Sequence, residues 1–303
     1  MIVIMKHKMQ RIWKFLFINK VLLLASFILC GCFSFNAIFG QESTIREENK
    51  SIKTYPYSDP SPIPSMAMNA QVSLFYPYFV FDGYTDQGIR QDWKVVTLEN
   101  DFLEVTVLPE VGGKVMGAIE KSTGEEFIYL NHVMKFRSIG IRGPWTSGGI
   151  EHNFGLDLGH APWTSSEVDY LLKENSDGSV SCVVGGLDLA SRTQWRMDIR
   201  LPKDKAYFET RGIWYNPTPL NGSYLSWENA AYKATDDLQF YFPGTHHIGH
   251  GGAVSPWPID KEGRNLSVYK ENNFGTSKSY HVFGKYPNWY GAYYHNIDFG
   301  TGH

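Results

Sequence analysis

The chain has 303 residues, 43% of them apolar, 15% aromatic and 19% charged, which is enough apolar mass for a large core and excludes general disorder. Five of its 28 basic residues (Lys6, Lys8, Arg11, Lys14, Lys20) and none of its 31 acidic ones fall in the first 40 positions, so the body that follows is acidic. With no basic stripe, that body excludes nucleic acid as an expected partner.

In chain order, the basic residues 1–20 and the apolar run Val21–Cys32 read as a secretory signal over residues 1–40. The run, at about a dozen residues, is short of the ~20 that span a bilayer, and its extension through Phe39 leaves an uncleaved anchor as the alternative. Leu29-Cys30-Gly31-Cys32 resembles a bacterial lipobox with Cys32 as the lipidation site, in competition with cleavage near Gly40-Gln41. Export is therefore expected, to the periplasm or to the outer membrane through a lipid on Cys32. Cys182 is then the one cysteine of the body, and its setting, Ser181-Cys182-Val183-Val184, reads as that of a buried small hydrophobe.

Residues 41–70 are polar and then carry Pro56, Pro60, Pro62 and Pro64, the pattern of an exposed tether and an extended strap. A folded domain is expected over 71–303, where the dominant period is two. Trp93–Leu98 and Phe102–Leu108 predict a hairpin around Glu99-Asn100-Asp101. Val115–Ile119, Phe127–Leu130, Ser179–Leu189, Gln194–Arg200 and Tyr207–Tyr215 extend the pattern, separated by the turn-forming sets Ser122–Glu125, Asn175–Gly178 and Pro202–Lys205. No amphipathic helix of three turns is legible after residue 40. The expected class is all-β, a large antiparallel sandwich in one domain. The stop at Asp298–His303, directly after the aromatic stretch Trp289–Tyr294, suggests a truncated chain or a sheet completed by another polypeptide.

Three clusters carry chemistry. The first runs from Arg142 to Gly155 and on to Trp163, and its glycines and proline predict a loop. It gathers Arg142, Trp145, Glu151, His152, His160 and Trp163. A sugar has apolar C–H faces and a rim of hydroxyls, and so calls for flat aromatic platforms beside charged and amide groups. The plainer reading makes Trp145 and Trp163 core anchors and pairs Arg142 with a structural acid. The second cluster, Pro243–Gly252, holds His246, His247 and His250. Its glycines exclude the helical spacing of a zinc motif, and on a strand His246 and His250 share one face while His247 takes the other. No metal and no cofactor is expected. Proton transfer or hydrogen bonding by an imidazole competes with a structural role. In the third, Tyr224–Ala231, period two sets Tyr224, Ser226 and Glu228 on one face and Leu225, Trp227 and Asn229 on the other. Val111-Gly112-Gly113-Lys114 follows a strand but lacks the glycines of a phosphate cradle.

Leu108–Ile119 with Lys121–Glu126 is similar to the opening hairpins of galactose-mutarotase-like proteins. Tyr55–Pro60, the Arg142–Phe154 segment, Arg200–Arg211 and Tyr241–His246 resemble an uncharacterised exported family with that fold, a domain of unknown function often fused to tetratricopeptide repeats. The resemblance implies a β-supersandwich with a carbohydrate site on its concave sheet. By that analogy His246 or His250 is the acid and Glu151 or Glu228 the base or nucleophile. From the composition of the three clusters, Arg142, Trp145, His152, His160, Trp163, Asn229 and His247 are the residues expected to hold the substrate. The expected function is that of an exported carbohydrate-active protein, a glycoside hydrolase or sugar epimerase acting on a mono-, oligo- or polysaccharide. Two rivals stay open: a non-catalytic carbohydrate-binding or scaffold domain, and an inactive truncated copy of a longer enzyme. A hydrolase needs two carboxylates across one cleft, about 5–5.5 Å apart for retention or about 6.5–9.5 Å for inversion, whereas convergence of one His with one Glu favours the epimerase.

Overall fold

A computed structural model describes residues 42–62, 81, 83–138, 144–155, 160–189, 191–222, 224–249, 251–275, 278–284 and 288–303. The expectations for the secretory signal, Cys32, Arg142 and His250 lie outside the described residues. In chain order the first strands are β1 (Thr44–Tyr55), β2 (Ile89–Glu99), β3 (Leu103–Leu108), β4 (Lys114–Glu120), β5 (Glu125–Ile128), β6 (Val133–Lys135) and β7 (Arg137–Ser138). Next come β8 (Pro144–Trp145), β9 (Ile150–Gly155), β10 (Asp169–Glu174), β11 (Val180–Asp188), β12 (Thr193–Leu201), β13 (Glu209–Tyr215) and β14 (Leu225–Ala230). The last are β15 (Leu238–Tyr241), β16 (His246–Ile248), β17 (Val254–Pro256), β18 (His281–Phe283), β19 (Gly291–Tyr294) and β20 (Phe299–Gly302). The helical content of the described residues is two single turns of 3-10 helix, Pro162–Ser165 and Tyr269–Asn272.

The strands make an all-β sandwich. Its large sheet runs β14-β9-β4-β3-β2-β1-β6 with β5 beside β4, and it faces a four-stranded sheet, β10-β11-β12-β13. The other sheets among the described residues are two of three strands, β15-β19-β20 and β17-β16-β18, and the pair β7-β8. Among the described residues pairing is antiparallel except between β1 and β6.

Period two explains why the sheets face one another. Val96, Leu98, Val105, Val107, Val115, Ile150 and Phe154 of the large sheet pack on Cys182, Val184, Trp195, Met197, Ile199 and Leu201 of the four-stranded one. Alternate residues of the same strands, Val95, Leu108 and Met116, point the other way and pack with Ile52, Trp93, Met134 and Phe136 under Tyr57, Tyr84 and Leu130. The large sheet is thus buried on both faces over β2–β4, and each fully enclosed aliphatic side chain stabilises it by about 1.5–3 kcal/mol. Cys182 lies inside this core, where burial pushes its thiol up to about 12.

Two elements differ from the expectation. Residues 44–55, expected within an exposed tether, form β1, paired with β2 from Thr44 opposite Glu99 to Thr54 opposite Ile89. Its polar side chains carry no apolar stripe, so the ladder of backbone bonds and ion pairs such as Arg46–Glu99 at 2.7 Å hold it in place. Folding therefore begins before Val72. The second half of the expected Arg142–Phe154 loop is β9, a strand between β4 and β14 in which every residue is buried. Burial on both faces hides the alternation that would have marked it.

Candidate functional site

β9 places chemistry on both faces of the large sheet. Ile150, His152 and Phe154 face the four-stranded sheet, while Glu151 and Asn153 face away from it. Gly149 makes the approach of β9 to β4 feasible: its φ is +69°, and a Cβ there would stand 2.0 Å from the Val115 carbonyl oxygen. β14 pairs with β9 so that Glu228 lies opposite His152, Trp227 opposite Asn153, and Asn229 opposite Glu151. Directly opposed residues share a face. The outward face therefore collects Glu151, Asn153, Trp227 and Asn229, and the inward face holds His152 and Glu228.

On the outward side Glu151 is the centre. Its Oε2 accepts a hydrogen bond from Trp145 Nε1 at 2.5 Å, and its Oε1 accepts from Asn153 Nδ2 at 2.8 Å and meets His160 Nδ1 in a short hydrogen bond. The Glu151 side chain is 5% exposed and that of His160 is 31% exposed, so the imidazole stands between the buried carboxylate and solvent. Indoles flank it edge-on, Trp145 at 5.5 Å and Trp227 at 6.2 Å between ring centroids. Asn153 fixes both partners of the pair, because its Oδ1 also accepts the backbone N–H of Ala161 at 2.7 Å. Asn229 adds an exposed amide on this face.

Burial pushes the Glu151 carboxyl up, but the hydrogen bonds from His160, Asn153 and Trp145 and the charge of His160 outweigh it, and the group stays below the usual carboxylate range. Lys114 is the buried cation nearby. Its Nζ donates to the Thr146 carbonyl at 3.1 Å, next to Trp145. Burial lowers the Lys114 amine to about 8 against the opposing pull of Glu151.

On the inward side His152 Nδ1 meets Glu228 Oε1 at 2.7 Å, and Thr210 Oγ1 donates to Glu228 Oε2 at 3.3 Å. Burial raises the Glu228 carboxyl, but the hydrogen bond and charge of His152 and the hydrogen bond of Thr210 outweigh it, and the net shift is downward. Glu151 and Glu228 thus project to opposite faces of one strand pair.

The remaining candidates stand elsewhere. Trp163 is 8% exposed and stacks on Trp195 at 5.3 Å, inside the sandwich core. His246 and His247 lie on β16, in a sheet separate from the one that carries β9 and β14. His247 is buried edge-on against Tyr280 at 4.9 Å, and the exposed His246 stacks on Phe283. No group of three His, Cys, Asp or Glu with metal-ligand proximity is present among the described residues. Lys114, Asn153 and Thr210 were not singled out as site residues by the sequence. Lys114 is marked in the sequence by the Gly112-Gly113 pair before it, and its burial at the start of β4 is what brings it to the site.

The crystal structure of a TPR-domain containing protein from Parabacteroides distasonis ATCC 8503 is similar to 84% of this chain with a TM-score of 0.73 and 23% identity, which shows a common fold. This chain spans 42% of the length of that one. The model of a family described as a domain of unknown function, DUF5107, matches residues 70–303, and the chain therefore belongs to the DUF5107 family.

Proposed function

We propose that this chain is an exported carbohydrate-active protein of galactose-mutarotase-like architecture, in which His160 moves a proton at a sugar bound between Trp145 and Trp227. The observation that carries the reading is the His160–Glu151 hydrogen bond, with the partly exposed imidazole flanked by two indoles. Three donors hold Glu151, so the carboxylate acts as a fixed anion that orients the imidazole through Nδ1. Nε2, on the far side of the ring, is left to exchange a proton with substrate. A neutral imidazole there accepts the proton of the anomeric hydroxyl as the ring C–O bond breaks, and the imidazolium that forms, stabilised by Glu151, gives that proton to the departing ring oxygen. The reverse steps reclose the ring on either face. Trp145 and Trp227 offer apolar surface to the C–H faces of the ring, and the Asn229 amide hydrogen-bonds its hydroxyls. A single His with a single Glu favours opening and reclosing of a hemiacetal. Glu151 and Glu228, on opposite faces, do not support a hydrolase built on that carboxylate pair.

The test is anomeric exchange followed by NMR across a panel of reducing sugars, on protein recovered from the cell envelope, the compartment that the N-terminal reading assigns. Wild type is expected to accelerate exchange of at least one sugar, and His160→Gln to lose about 100-fold or more of that acceleration. Sugar binding without exchange, indifferent to His160→Gln, would establish the non-catalytic rival.

A further inference from the structure

The inward face holds a second feature that the sugar reading does not use. A cavity of about 600 Å³ opens between the ends of β3–β5, the start of β13, β14 and the β19–β20 hairpin. One part of its wall is apolar, with Leu103, Phe127, Phe208 and Phe299. The other presents three carboxylates, Glu120, Glu209 and Glu228, with the imidazole of His303, whose charge acts on Glu228, as the one basic side chain among its lining residues. The size and the mixture of apolar walls with a few convergent polar groups are those of a small-molecule site.

The three acids differ in what they can offer a ligand. Glu120 is committed to its own turn, where Ser122 N–H, Thr123 N–H and Thr123 Oγ1 bond both its oxygens. Glu209 is exposed at the start of β13. Glu228 is different, because it is 27% exposed and is braced from behind by His152, whose side chain is fully buried, and by Thr210. A carboxylate held in place this way is an anchor for a cation and a poor neighbour for an anion. Ala230, one residue pair along the same face, keeps the floor of the cavity low.

We infer that this inter-sheet cavity is a second ligand site, separate from the Glu151–His160 face, and that it takes a small cationic amphiphile, an ammonium group on an aryl or alkyl body. The ammonium binds Glu228, and the body lies against Phe127, Phe208 and Phe299. The inference stands independently of the sugar reading, since the two sites face opposite sides of β9 and β14.

The experiment uses the whole folded chain with 2-phenylethylammonium as probe and neutral 2-phenylethanol as its isostere, followed by calorimetry. Saturable binding of the ammonium is expected at about millimolar Kd or tighter for a ligand of this size, with the alcohol at least about tenfold weaker. Glu228→Gln is expected to weaken the ammonium by about tenfold or more. Because that variant also strips His152 of its partner, Ala230→Phe supplies a second arm: it fills the cavity from its floor and should abolish binding while the chain stays folded. Equal affinity for the alcohol, no saturable binding of the ammonium, or full binding in Ala230→Phe would each overturn the inference. So would sedimentation showing that the cavity is occupied by self-association, as a dimer that Ala230→Phe disperses.

Discussion

Asn153 shows how much of the site depends on one buried amide. It is fully buried, its Nδ2 donates to Glu151 and its Oδ1 accepts from Ala161, the residue that follows His160. Asn153→Ala removes both bonds and leaves a buried N–H and a carboxylate oxygen short of a partner, each costing about 1–3 kcal/mol. A loss of roughly 2–4 kcal/mol in urea denaturation is therefore expected. Asn153→Asp keeps the acceptor for Ala161 but sets a second carboxylate against Glu151, so its deficit should shrink as pH falls and the pair shares a proton. A pH-independent deficit would show that Asn153 holds only the backbone. The composition of the Arg142–Trp163 stretch made Trp145, Glu151 and His160 legible as a group, because indoles, a carboxylate and imidazoles are rare enough to be seen together. Asn153 and Lys114 were not legible as parts of the site. A buried polar side chain is marked by its partner, and the partner of Lys114 is the Thr146 carbonyl, 32 residues away.

β1 is the element whose place in the fold the composition concealed. Ile52 and Thr54 are buried at one end, while the charged first half pairs through Arg46–Glu99 and through Glu47, which accepts a hydrogen bond from Tyr170 on the four-stranded sheet at 2.6 Å. It covers β2, whose Val95, Val96 and Leu98 are fully buried. Removal of residues 42–55 would bare the backbone edge of a strand whose Val95–Leu98 stretch is fully buried, the condition that favours edge-to-edge association. Size-exclusion chromatography is expected to show aggregates and a lowered Tm for that truncation. A monomer with unchanged Tm would return the segment to the status of a tether. Strands with one strong apolar stripe were legible: the predicted Trp93–Leu98 and Phe102–Leu108 hairpin is the β2–β3 pair, and Gln194–Arg200 lies within β12. β9 escaped because its polar residues are as buried as its apolar ones. β1 escaped because pairing, and not a stripe of its own, holds it.

At the scale of the whole molecule the all-β class follows from period two, whereas the sheet order does not, because β9 reaches β4 and β14 across long stretches of chain that no local pattern connects. The same long-range burial sets the pH response, which net charge does not describe. Glu151 and Glu228 lie below the usual carboxylate range in the fold, so the stability they contribute is present above the unfolded value of about 4.3 and is lost as pH falls through their folded values. At the alkaline end two effects oppose each other. The Cys182 thiol and the Tyr290 and Tyr294 phenols, pushed up to about 12 by burial, keep protons that the unfolded chain releases, so stability falls as pH climbs toward that value. Lys114 works in the other sense. With its folded value lowered to about 8, the unfolded chain still holds the proton up to about 10.4 when the native chain has let it go, and stability rises with pH across that window. Lys114→Met isolates this contribution, because every other group is common to both proteins. The unfolding free energy of wild type minus that of Lys114→Met should climb between pH 8 and about 10.4, by about 3 kcal/mol at most. Parallel curves across the window would mean that the Lys114 ammonium stays charged in the fold, held by the Glu151 carboxylate and the Thr146 carbonyl more strongly than burial disfavours it.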